Sequence, residues 1–360
     1  MKTGKTLLEL ATEIERQSSL KHDFLQSAGG LSMNTVGQPR LRVGDHGEFG
    51  MRPLAHRDLG TYLGIPASFY DRLLADVENQ DGVRLGHTAT APATLFDVTV
   101  NTLLDDKRAD VRLVRTLDGQ ARALLSDRYR PMDHDEILAH MLPTLASIDG
   151  IDWNASSMEV TESRLYLKLV NRKVQGEVAR GDVVQAGVVL TNSETGQGSF
   201  SVSPMLFRLV CTNGLIRSEL VKRKYHAGAR QTADSDHLLS DEARRARNRA
   251  TILEMRDLVR GALGEAMFAQ SLGKLKAAAG EPLALDPLQS VALVTKRYSL
   301  TDGESGEILR NLVNGGDLSV WGMVNAVTLA AQVVESYDRS TELEQVGGKI
   351  LEESKVLVTA

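Results

Sequence analysis

The sequence predicts an α+β protein: a central antiparallel-rich sheet with a helix packed on it, flanked by N- and C-terminal helical segments. Three observations predict it. Apolar and polar residues alternate on both sides of Asp118-Gly119, a dipeptide that accepts the positive φ values of a tight hairpin turn. Further strand-like runs follow between residues 157 and 211. Before residue 100 and after residue 240, apolar positions recur at helical spacing instead. Strand and helix signals are segregated rather than alternating, which argues against a parallel nucleotide-binding sheet. No repeat, low-complexity tract or long linker interrupts the chain. It reads as a helical segment over 1–100, an α+β core over 101–230 and a helical segment over 231–360, forming one compact unit.

Residues 6–26 carry Leu7, Leu10, Ala11 and Ile14 at helical spacing, and Gly29, Gly30 and Gly37 mark a loop after them. A pair of short helices follows over 57–63 and 67–76, with Ile65, Phe69, Leu73 and Leu74 on one face. It reads as a packing hairpin more readily than a DNA-reading helix-turn-helix, because only Arg72 is available to reach a base edge. Residues 111–116 and 120–125 form the hairpin. Next comes a helix with Asp133 as N-cap and Glu136 as its capping-box partner. Pro143 kinks or ends it. Strands are expected over 157–161, 164–171, 183–191 and 200–211, all in one sheet with the hairpin. The third is almost wholly apolar, which fits burial on both faces. Helices complete the chain over 241–278, 285–296, 303–312 and 320–337.

The formal net charge is −5, so any attraction to nucleic acid must come from a local patch. One cysteine, Cys211, cannot form an internal disulfide, which fits a reducing compartment; it reads as a packed thiol in an apolar strand. No apolar run is long enough to span a bilayer, so no membrane partner is expected. The basic start of the chain leads into an amphipathic stretch with Glu9, Glu13 and Glu15 rather than a signal peptide. The expected location is cytoplasmic.

No common catalytic or cofactor signature is present. Gly4-Lys5-Thr6 lacks the strand and the earlier glycine of a phosphate loop. His134 and His140 point to different faces of one helix, so they cannot share a metal. Asp127, Asp133, Asp135 and Glu136 form a carboxylate cluster of the kind that holds Mg²⁺ in nucleases, but capping already accounts for two of the four. The expectation is therefore a chain with no catalytic residue, no cofactor and no metal.

One charge feature stands out. Residues 205–250 hold ten Lys and Arg against five Asp and Glu, a net +5, leaving −10 for the rest. Arg208, Arg217, Lys222, Arg223, Lys224 and Arg230 form one group, with Tyr225 and His226 inside it. Arg244, Arg245, Arg247 and Arg249 crowd the helix after it. Clustered cations bind phosphates with release of counterions, and aromatic rings stack unpaired bases. The same charges would also suit a solvated face or internal salt bridges. Arg128 and Arg130 follow a hairpin strand and can reach outward from the sheet end, or pair with Asp127 or Asp133. Tyr129 reads as a core ring, Trp321 as a core or subunit-interface ring, Asn192, Ser193 and Asn213 as turn formers, and Gly214 as a source of positive φ.

Several stretches carry a family resemblance: L-L-S-D-R-Y-R-P-M-D over 124–133, T-N-S-E-T-G over 191–196, F-R-L-V-C-T-N-G over 207–214, and His226-x-Gly228. Together they resemble the phage/plasmid-like proteins built on the domain of unknown function 932, from about residue 50 onward. Thr195 stands where that pattern expects an apolar residue. Such genes occur in mobile elements, which implies a role in DNA maintenance or recombination. The arrangement of hairpin, strands, helices and basic residues is also similar to phage single-strand annealing proteins of the RecT, Erf and Red-beta type. That likeness implies a homo-oligomer on single-stranded nucleic acid without nucleotide hydrolysis. The long apolar run over 321–337 reads as a buried core helix more readily than as a subunit interface. Two alternatives stay open: a metal-dependent nuclease or other enzyme using Asp127, Asp133 and Glu136, and a host-interaction protein with no nucleic-acid contact.

Overall fold

Two six-stranded sheets, not one, organise the chain. The computed structural model describes residues 1–35, 38–78, 84–87, 92–129, 132–217, 222–224 and 241–358. The first element is α1 (Leu7–Leu20), capped by a reciprocal Thr6–Glu9 capping box. The expected helix stops there. Residues 22–27 pair instead as an edge strand, β1 (His22–Ser27), with the hairpin strand β7 (Val111–Leu117). Cross-strand pairing overrides local periodicity at this point. The expected loop after it contains three short strands, β2 (Leu31–Asn34), β3 (Arg40–Val43) and β4 (Glu48–Met51). With β8 (Gln120–Ser126), the sheet order is β1-β7-β8-β4-β3-β2, antiparallel except for the β4–β8 pair. Asp118 and Gly119 turn the β7–β8 hairpin with φ of 54° and 71°.

On this sheet pack α2 (Pro53–Leu63), α3 (Ala67–Glu78) and α4 (Leu95–Asp106). Leu41, Val43, Leu59, Tyr70, Phe96, Val100, Val114 and Leu124 share one apolar cluster. A short ribbon, β5 (Arg84–His87) and β6 (Pro92–Thr94), precedes α4. The first hundred residues are therefore not a helical segment. They build most of a sheet that the β7–β8 hairpin completes.

The second sheet runs β13-β12-β11-β10-β9, from β9 (Ser157–Val160) through β10 (Leu165–Glu177), β11 (Val183–Asn192) and β12 (Phe200–Arg208) to β13 (Asn213–Ile216). A further strand, β14 (Lys222–Lys224), pairs with the start of β12. As its composition predicts, β11 is buried almost end to end. One core joins β10–β12 to α1, to α5 (His134–Ser147) and to α6 (Asp241–Ala262). Pro143 lies inside α5 without ending it. A second core joins Val184, Ala186, Leu206 and Leu215 to the C-terminal helices α7 (Glu265–Gly280), α8 (Pro287–Tyr298), α9 (Asp302–Gly315), α10 (Val320–Ala330) and α11 (Tyr337–Glu352). A last turn, α12 (Lys355–Val358), follows.

Two helix expectations change. The long helix over 241–278 breaks at Leu263-Gly264, with Gly264 in extended backbone as the N-cap of α7. The break lets the chain leave the core that holds Ile252 and Met255 and enter the one that holds Phe268 and Leu275. The 320–337 stretch ends as a helix at Ala330, and α10 is buried along most of its length, Trp321 included. Its apolar face is filled by this chain.

Candidate functional site

The junction of the two sheets is charged and buried. Arg115 and Arg122 come from the β7–β8 hairpin, Lys21 from the end of α1, and Asp133 and His134 from the start of α5. Glu194 comes from the loop after β11. Both oxygens of the Glu194 carboxylate are used. Arg122 Nη2 donates to Oε2 at 2.6 Å, and the backbone N–H of His134 donates to Oε1 at 2.7 Å. Arg115 has no exposed surface and three acceptors: Asp23 at 2.8 Å, the Glu194 carbonyl at 2.8 Å and Asp133 at 2.9 Å. Lys21 Nζ lies 2.8 Å from Asp133, 3.1 Å from Asp135 and 3.5 Å from Glu194. Asn192 Nδ2 lies 3.0 Å from His134 Nδ1 and donates to the Met132 carbonyl at 2.8 Å. Tyr129 reaches the Ser193 carbonyl with its hydroxyl.

The electrostatics follow from this crowding. Burial alone would raise the Glu194 pKa, but His134 once protonated in acid, together with Arg122, Lys21 and the His134 N–H, outweighs it and holds the carboxyl far below its usual range. Burial pushes His134 down to about 4, more than Glu194 can offset, so its ring is neutral at pH 7. Burial also works against the Lys21 charge, yet Glu194 and Asp133 carry its pKa above the ordinary value.

The capping expectation is corrected here. Asp133 occupies the N-cap of α5 but makes no side-chain cap bond, because its carboxylate is committed to Arg115 and Lys21. Glu136 is exposed. Glu194, from another element, accepts the first N–H of the helix instead. Among the described residues, the acidic groups that converge are Asp133, Asp135 and Glu194, rather than Asp127 with Glu136. The Lys21 ammonium lies within 3.5 Å of all three carboxylates and balances part of their charge.

A second motif is also structural. Arg208 grips Asp182 with two bonds, Nε at 2.6 Å and Nη2 at 3.0 Å, and donates to Cys211 Sγ at 3.2 Å. Trp321 Nε1 donates to the same Asp182 at 2.8 Å. Cys211 lies in the turn after β12, not in a strand. The positive φ of that turn falls on Thr212, while Gly214 sits in β13, where a Cβ would come 3.2 Å from Glu344 Oε1. Asn192 and Asn213 likewise belong to strands, not turns. Nearby, Lys168 and Glu344 form a fully buried ion pair at 2.6 Å.

The expected nucleic-acid contacts separate accordingly. Arg217 is buried and donates to Ser271 at 2.7 Å, and Arg208 is held by Asp182, so neither is presented to a phosphate. Arg128 and Arg249 are exposed. Lys222, Arg223 and Lys224 form β14, and Arg244, Arg245 and Arg247 lie in the first turns of α6; only their backbone is described. Arg130, Tyr225, His226 and Arg230 lie outside the described residues. The helix with the second basic group lies against β12 and β14, which brings the two groups of elements together.

Sequence reasoning missed Arg115, Arg122, Glu194 and Lys21. One signal was available. Arg112 and Arg115 are three apart on one strand, so they face opposite sides, and one of them had to enter the core side or the junction. Glu194 gave no such sign inside a polar loop.

No curated protein and no solved structure matches the chain. The model of one family, described as a domain of unknown function (DUF932), matches residues 122–346. The match starts in β8 and runs through α10 into α11, so it takes in the second sheet, the Glu194 loop and the Arg208 turn. It covers more than half of the chain, which therefore belongs to the DUF932 family.

Proposed function

We propose that this protein binds single-stranded nucleic acid along the edge of its second sheet, through β14 and the first turns of α6. One observation carries the reading. The two most basic stretches, separated by the residues between 224 and 244, belong to elements that touch. Phosphates need clustered cations that are not already neutralised. The interior arginines fail that condition, because Arg115, Arg122, Arg208 and Arg217 have partners within the chain. A net +5 segment in a −5 chain neutralises only a few phosphates per copy, so several copies along one strand would gain from effective concentration. Such a homo-oligomer, promoting annealing or recombination, is part of the proposal, with its interface elsewhere than α10.

A mobility shift with a single-stranded oligonucleotide, at two salt concentrations and with or without Mg²⁺, tests it. A salt-sensitive shift without cleavage is the expected outcome. Cleavage in Mg²⁺ would move the reading to a nuclease, and no shift at low salt to a protein-interaction role.

A further inference from the structure

A cleft of about 370 Å³ opens between α2, α3 and the end of β4, outside the matched family region. Ligand pockets are typically roughly 300–1,000 Å³. Its floor is a hydrogen-bonded pair, His56 Nδ1 and the Tyr70 hydroxyl, 2.9 Å apart and both buried. Gly60 makes room for the ring, since a Cβ there would come 3.0 Å from Tyr70. Burial lowers the His56 pKa to about 4 and raises that of Tyr70, so the floor is uncharged at neutral pH. Met51, Ile65 and Leu74 supply apolar wall. The rim is charged with both signs. Arg57 on α2 and Asp71 on α3 are exposed, and neither makes an ion pair among the described residues.

We propose that this cleft binds a small zwitterion: an ammonium and a carboxylate on an apolar frame, as in an apolar amino acid or a dipeptide. Arg57 takes the carboxylate and Asp71 the ammonium. The neutral floor pair meets the frame amide where there is one, as in a dipeptide, and the apolar walls cover the rest. A phosphate ester fits poorly, because its dianion would meet one arginine and face the Asp71 carboxylate.

Calorimetry on the full chain tests this with L-leucine, leucyl-leucine, 4-methylpentanoate and 3-methylbutylamine. At least one zwitterion should bind about tenfold or more tightly than either single-charge analogue, because each analogue lacks one of the two charge-assisted hydrogen-bonding groups. Binding of leucine alone identifies an amino acid, and binding of leucyl-leucine alone a peptide. Arg57→Ala and Asp71→Ala should each weaken binding by about tenfold. Arg72→Ala, whose guanidinium stacks on Phe69 away from the lining, should leave it unchanged. Thermal melting confirms that these surface variants fold. The proposal falls if neither zwitterion binds at about 10 mM, if an analogue binds as well as its zwitterion, or if both rim variants keep full affinity.

Discussion

Two buried glutamates, Glu194 and Glu344, show how differently the same side chain can be held. Each has a cation at 2.6 Å: Arg122 for Glu194 and Lys168 for Glu344. Glu194 uses both carboxylate oxygens and lies at the end of a network that reaches Lys21, Arg115 and Asp133. Glu344 uses one; its Oε1 has no hydrogen-bond partner among the described residues. The cations differ as well. An arginine stays charged wherever it is buried, whereas a buried lysine can release its proton. Burial already lowers the Lys168 pKa, against the pull of Glu344. The Glu194 site is thus a fixed set of charges that must balance, and the Glu344 site rests on a lysine whose charge burial disfavours.

The largest expected effect follows directly. Glu194→Ala strands Arg122 and removes the acceptor of the His134 N–H. It should cost about 3–5 kcal/mol in urea denaturation. Glu344→Ala should cost less, roughly 1–3 kcal/mol, because Lys168 can go neutral. Equal losses would break the comparison. Replacing the pair together, Lys168→Met with Glu344→Leu, should fall within about 1 kcal/mol of the parent or stabilise it.

Next in size is a pH effect. The unfolded chain takes a proton at His134 near pH 6.5, while the folded chain refuses it until about pH 4. Stability from this group is therefore full above pH 6.5 and falls as pH drops through that window, by about 3 kcal/mol in total. His56 adds to the fall in the same range. Asp58 opposes it: burial raises its pKa from 3.8 to about 6, so protonation between those values favours the folded chain. His134→Asn isolates the first contribution. The variant should show a shallower loss of stability between pH 6.5 and 4 than the parent, and identical slopes would refute the assignment.

The sequence made the second sheet and the β7–β8 hairpin legible, because long apolar strands and an Asp-Gly turn are strong local signals. The first sheet was hidden. Its outer strands are four to six residues long and β1 exposes Leu25 at the edge; β2 and β3 do alternate, but over only four residues each, too short a run to announce a strand. The Glu194 junction was hidden for another reason. Its members come from residues 21 to 194, and only the docking of two sheets brings them together. The basic segment was the opposite case: its density of charge is visible in one dimension, but not which of its arginines are spent on internal partners.

The smallest effect on stability should come from the cations of β14. Changing Lys222, Arg223 and Lys224 to Ala should alter stability by less than about 0.5 kcal/mol. That contrast with Glu194→Ala would sharpen the division between charges that hold the fold and charges proposed to meet a ligand. The central claim is tested most directly by the salt dependence of single-strand binding for this triple variant. The plot of log affinity against log salt should flatten by roughly 0.7 for each phosphate no longer neutralised, or about 2 for three. Affinity should fall equally for every base sequence. An unchanged slope, with affinity intact, would show that these side chains are ordinary surface charges and contradict the account.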